Sequence, residues 1–212
     1  MNEIIDNNFG ATKNFINKYK NSIIIFISLL VFIAAIFIFN SYNTKISNEK
    51  AAAIYNQWIN QPISLDEGPE TKDDLYNNLV NNYSSSGYAM MAMLSRGADS
   101  ASKGDFENAI NAFILLRDAS GGFTGNKFFN KISRISLSRI YLETEMYEEA
   151  FSQLSIYSED AANAYIHELI GDIFAAQGKN KRSIEQYKLA NEKYSDQQSK
   201  SIVAMKIADL KS

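Results

Sequence analysis

Residues 163–195 read NAYIHELIGDIFAAQGKNKRSIEQYKLANEKYS. Apolar residues recur at helical spacing on both sides of the turn around Gly178, which predicts two amphipathic helices folded back on each other. Gly171 stands in the first helix seven residues before Gly178. The second helix offers Ser183 and, four positions on, bulky Tyr187. A small residue is needed where two helices cross, because a larger side chain would push the backbones apart.

The same arrangement occurs twice more upstream. Residues 88–120 carry Gly97, Gly104 and the pair Ala109 and Phe113. Residues 129–158 carry Ser138 and Glu145 at the two glycine places, followed by Ala150 and Leu154. Ala150 and Ser183 are 33 residues apart, while Ala109 and Ala150 are 41 apart. Helix–turn–helix repeats recur at about 34 residues. The excess is accounted for by GGFTGNK, residues 121–127, which lies between repeats. Unrelated amphipathic helices would not place glycine, small and aromatic residues in one register. These segments therefore resemble tetratricopeptide repeats, at about 88–120, 129–158 and 163–195.

Outward from the repeats, the chain still reads as helix. NEKAAAIYNQWINQ (48–61) and KDDLYNNLVNNY (72–83) form a predicted hairpin, with Pro62 and Pro69 in its loop. Thr71 followed by Asp74 approximates a capping box. Asp73–Asp74 and Glu148–Glu149 fall at predicted helix starts, where carboxylates suit the helix dipole. SKSIVAMKIADLK, residues 199–211, reads as a terminal capping helix with Ile202, Met205, Ala208 and Leu210 partly in line.

Residues 22–39 contain 14 Ile, Leu, Val or Phe among 18, with no charge, proline or glycine. As a helix this run is about 27 Å long, close to the ~30 Å hydrocarbon thickness of a bilayer. Its insertion is worth roughly 4 to 8 kcal/mol on a per-residue scale. A cleaved signal would be shorter and end in small residues, whereas Phe39, Asn40, Ser41 and Tyr42 follow here. The domain reading is a cytoplasmic tail over 1–21, a transmembrane helix over 22–42, the hairpin and loop over 43–87, and repeats over 88–212. Lys13, Lys18 and Lys20 precede the span and Lys45 and Lys50 follow it, which places the N-terminus in the cytoplasm. The fold class is all-α: one N-terminal transmembrane helix followed by a tetratricopeptide-like α-solenoid.

Composition narrows the function. The part beyond the span has 18 Lys and Arg against 22 Asp and Glu, without the clustered basic footprint that nucleic acid requires. Cysteine is absent, which removes disulfides, thiolate metal sites and a cysteine nucleophile. A catalytic or metal role needs convergent partners, of which one histidine without cysteine supplies few, so His167 is read as a packed or surface residue. GGFTG has glycines like a phosphate loop, but no Gly-Lys-Ser/Thr follows and no strand precedes it. No catalytic, cofactor or metal residue is assigned, and the function is read as binding.

In tetratricopeptide arrays the first helices line a concave groove. Carrying those places over selects Met91, Leu94, Ile132, Ile135, Arg139, Leu142, Tyr165, Glu168 and Asp172. Six of the nine are apolar, which suits unfolded or hydrophobic segments. The competing reading is that neighbouring helices, such as the Trp58 hairpin, fill this face as core.

The whole layout resembles the bacterial YfgM-like proteins. The matching stretches are SSSGYAMMAMLSRGADSASKGDFENAINAF, ISLSRIYLETEMYEEAFSQL, ELIGDIFAAQGKNKRSIEQYKLA and VAMKIADL. The resemblance implies a non-enzymatic ancillary subunit of the SecYEG translocon in the bacterial inner membrane. It further implies a periplasmic repeat domain, a PpiD-like folding factor as partner, and exported polypeptides as clients. An adaptor of another envelope complex, in cell division or wall synthesis, is the alternative.

Overall fold

The computed structural model describes residues 2–61, 71–157 and 161–211, apart from the side chains of residues 2–17 and 23. The Pro62 and Pro69 loop and the predicted end of the second repeat at residue 158 lie outside them. Nine helices and no strand are found among the described residues. They are α1 (Asn2–Asn60), α2 (Lys72–Tyr83), α3 (Gly87–Ser102), α4 (Phe106–Ala119), α5 (Lys127–Glu143), α6 (Tyr147–Leu154), α7 (Ala164–Ala176), α8 (Asn180–Lys193) and α9 (Gln197–Asp209). The chain divides into two compact units, residues 1–50 and 51–212.

The first unit is helical throughout its described length. Lys18–Asn60 is the one segment among the described residues long and apolar enough to cross a membrane. Its large apolar side chains from Ile24 to Phe39 are exposed. The sequence reading divides this region into a span and a separate hairpin helix at 48–61. The structure instead has one unbroken helix to Asn60, because nothing from Ser22 to Asn60 is proline or glycine.

In the second unit α3 pairs with α4, α5 with α6 and α7 with α8, and each pair packs on the next. Polar caps set the starts: Ser86, Asp105, Asn126, Asn163 and Asp196 each accept from a backbone N–H in the first turn of their helix. At α2 the Thr71–Asp74 capping box is complete, and Asp73, Asp74, Glu148 and Glu149 stand in first turns as read from the sequence. The turn inside each pair needs one residue with positive φ. Gly104 (73°) and Gly178 (70°) supply it without strain, while Glu145 adopts 59° in the second repeat. A side chain in this region costs about 1–2 kcal/mol, part of which glycine gives back as unfolded-chain entropy. Glu145→Gly is therefore expected to stabilise the domain by about 0.5–1 kcal/mol, raising Tm by roughly 1–4 °C in a thermal melt.

The crossing points match the register of the sequence. Ala109, Ala150 and Ser183 are fully buried, as are Phe113, Leu154 and Tyr187 to within a few per cent. The glycines explain why. A Cβ on Gly97 would lie 2.9 Å from the Phe113 ring, and one on Gly171 would lie 2.5 Å from the Tyr187 ring. Ser183 Oγ donates to the Gly171 carbonyl at 2.8 Å, so the small residue also satisfies itself at the crossing. In the second repeat the equivalent residues are Ser138 and Leu154, both fully buried. Leucine replaces the ring where serine replaces the glycine.

Within the second unit the hairpin residues join the main core. Trp58 is buried near Tyr76 (centroids 6.3 Å apart), and Tyr55 contacts Tyr88 at the start of α3 (5.8 Å). Arg96 stacks on Tyr76 at 4.5 Å and pairs with Asp73 at 2.6 Å. The hairpin thus caps the array at α3.

The closing helix differs from its sequence reading. Ile202, Met205 and Ala208 are exposed. The packed stripe is Val203, Lys206, Ile207 and Leu210, with Val203 fully buried against the Tyr187 and Ala190 cluster. This stripe keeps the 3–4 spacing of one helix face. A lysine lies in it because its charge has partners across the interface.

Candidate functional site

The concave-face residues fall into four groups. Met91 and Tyr165 are 37% and 38% exposed. Leu94, Ile132, Ile135 and Leu142 are half-buried and pack against the main core with part of their surface left over. The hairpin meets α3 through Tyr55 against Tyr88 and Tyr76 under Arg96. Arg139 is exposed and lines a cleft of about 460 Å³ between α3 and α5.

That cleft was only partly legible. Besides Arg139 it is lined by Ala98, Ala101 and Ser102 of α3 and by Ser136 and Glu143 of α5, with Phe106 and Phe113 beneath. Small residues at one helix face carry little hydropathy signal. Their spacing of 98, 101 and 102 on a first helix was the available clue. The cleft volume is in the range that accommodates a side chain or small ligand, and its wall mixes apolar, hydroxyl and charged groups.

Glu168 and Asp172 are engaged by α9. Lys206 Nζ lies 2.7 Å from Glu168 Oε1 and 2.7 Å from Asp172 Oδ1. Tyr194 OH donates to Glu168 Oε2 at 2.6 Å, and Tyr187 OH donates to Asp172 Oδ1 at 2.7 Å. Burial first, and then these carboxylate acceptors, push both tyrosine hydroxyls above their usual value near 10. For Lys206 burial acts to lower the value, but the hydrogen bonds and charges of Asp172 and Glu168 outweigh it and the net shift is upward.

All three shifts have one consequence. A group whose pKa is raised on folding adds stability that is complete below its unfolded value and is lost as pH rises through its folded one. For the tyrosines and Lys206 the window opens near pH 10. The docking of α9 is expected to weaken above that pH. Hydrogen exchange should show faster exchange in α9 than in α3 to α6, and absorbance at 295 nm should show late-ionising tyrosines. Unchanged α9 protection up to pH 11 would contradict this.

His167 is packed, 2% exposed, with Nδ1 2.8 Å from Gln186 Oε1. Among the described residues no cluster of His, Asp or Glu is arranged to hold a metal ion.

The profile of the tetratricopeptide repeat-like domain matches residues 13–212. The chain belongs to this family. The tetratricopeptide-like match begins within α1, so the family assignment takes in the apolar helix as well as the repeats. An ancillary SecYEG translocon subunit from Aggregatibacter actinomycetemcomitans is 24% identical over 143 residues. The match covers 68% of this chain and 67% of that protein. No solved structure matches. Tetratricopeptide-like architecture suggests protein–protein interaction.

Proposed function

We propose that this protein is a single-pass scaffold of the bacterial inner membrane. Its tail is cytoplasmic, and its periplasmic repeat domain binds the SecYEG translocon, a PpiD-like folding factor or emerging exported chains. It works without catalysis. The observation that carries this reading is the fusion of an apolar membrane-length helix to a repeat array similar to an ancillary translocon subunit. The half-exposed apolar face of α3, α5 and α7 supports contact with extended, apolar-rich chain, which buries side chains without needing a fixed sequence. Glu168 and Asp172 belong to this surface when α9 is displaced. Met91, Leu94, Ile132, Ile135, Arg139, Leu142 and Tyr165 form its standing part.

The test uses photo-crosslinking amino acids at Met91, Arg139 and Tyr165 in native membranes, with adducts identified by mass spectrometry. Translocon subunits or exported chains are expected. Met91→Ser with Tyr165→Ser should reduce the adducts formed from position 139 severalfold with little loss of stability, because both side chains are exposed. Adducts confined to cell-division or wall-synthesis proteins would replace the translocon reading with the adaptor reading.

A further inference from the structure

The loop between α4 and α5 is not used by the repeat packing, yet it is built rather than slack. Gly122 takes φ 82°, and a Cβ at Gly125 would strike the carbonyl oxygens of Ser120 and Gly121. The Gly125 N–H donates to Gly122 O at 3.3 Å, and Asn130 Nδ2 ties the Arg117 carbonyl at 2.8 Å. Asn126 caps α5 through the Phe128 and Phe129 amides. This closed loop leaves the Phe123 side chain fully exposed at its tip, with Phe128 66% exposed beside it.

Charge around the tip is one-sided. Between Ala119 and Leu142 the chain has Lys127, Lys131, Arg134 and Arg139 and no Asp or Glu. The nearest acid, Asp118, is paired with Arg117 at 2.8 Å. This stretch stands out in a domain whose acids outnumber its bases. An exposed aromatic tip with lysines behind it is the chemistry of a membrane interface. The ring suits the headgroup region and the lysines suit anionic lipid. Only eight residues, 43–50, separate the end of the predicted span at residue 42 from Ala51, where the second unit begins. A bilayer surface is thus held at high local concentration.

We propose that the loop of residues 121–128 is a lipid-contact element that seats Phe123 in the headgroup region of an anionic membrane surface. This rests on the membrane anchoring proposed above. Because the chain has no cysteine, a single Thr124→Cys labelled with an environment-sensitive fluorophore reports the tip, and a single Phe32→Cys reports the anchor. Full-length protein is reconstituted into phosphatidylglycerol vesicles containing headgroup-region spin-labelled lipid for the probe at 124, or lipid spin-labelled near the end of the acyl chain for the probe at 32. Quenching at 124 is expected, falling about threefold in phosphatidylcholine vesicles or high salt, where surface charge is absent or screened. Adding Phe123→Asp or Lys127→Glu should abolish or reduce it. A probe at 124 that stays aqueous while the probe at 32 is quenched overturns the lipid contact and leaves the anchor intact. An unquenched probe at 32 refutes the anchor instead, and the signal at 124 still decides the contact. Lipid-independent adducts from 124 to a protein in native membranes, without quenching in vesicles, would overturn it in favour of a protein partner.

Discussion

Ala150→Phe is expected to cost the domain about 3 kcal/mol, the upper end for overpacking, and to lower Tm by roughly 6–12 °C. Ala150 is fully buried at the point where α6 crosses α5. Leu154, one turn on, is fully buried as well. A phenyl ring there needs a volume that no neighbour can release, since α5 is held from its other side by α4 and α7. The helices would have to separate, and the separation would be passed to the stacked repeats on both sides. Circular dichroism melts of the full chain in detergent would measure the effect. A shift within 2 °C would mean that α5 and α6 do not cross at Ala150.

Gly171→Ala should cost about 2 kcal/mol, with the opposite sign to what helix propensity alone predicts. Inside a helix, alanine is favoured over glycine by about 0.8–1 kcal/mol. Here the added Cβ would stand 2.5 Å from the Tyr187 ring. The ring cannot swing away cheaply, because its hydroxyl is fixed on Asp172 at 2.7 Å. Steric conflict therefore outweighs propensity. A denaturant titration of Gly171→Ala beside Gly171→Ala/Tyr187→Leu separates the two, since the smaller partner should recover much of the loss. A stabilised single variant would show that Tyr187 has room to move.

Most of the architecture was legible because each repeat writes its crossing point in side-chain size. Gly97, Ala109, Gly171 and Ser183 are small for a reason visible without coordinates, and all four are buried. Glu145 could be placed in the turn by register, although glutamate gives no hint of positive φ. Elsewhere the signal was misdirected. In α9 the eye follows Ile202 and Met205, but the packed face is marked by Val203 and by a charged residue, Lys206, whose carboxylate partners are 38 and 34 residues distant. The continuity of α1 was hidden by a change of composition without a change of backbone, from apolar to mixed residues around position 42. The cleft beside Arg139 was obscured because Ala98, Ala101 and Ser102 define it by what they lack.

Val203 joins Tyr187 and Ala190 in a cluster of its own, apart from the core that runs from Ala51 to Phe174. Cooperativity in a stacked array depends on how many neighbours each layer shares, and the last layer shares fewest. The α9 layer is thus the described part of the repeat unit that opens at least cost, while the rest stays closed. Local opening is expected to start at α9, and a protease that cuts exposed chain would cleave there before it reaches the layers from α2 to α7.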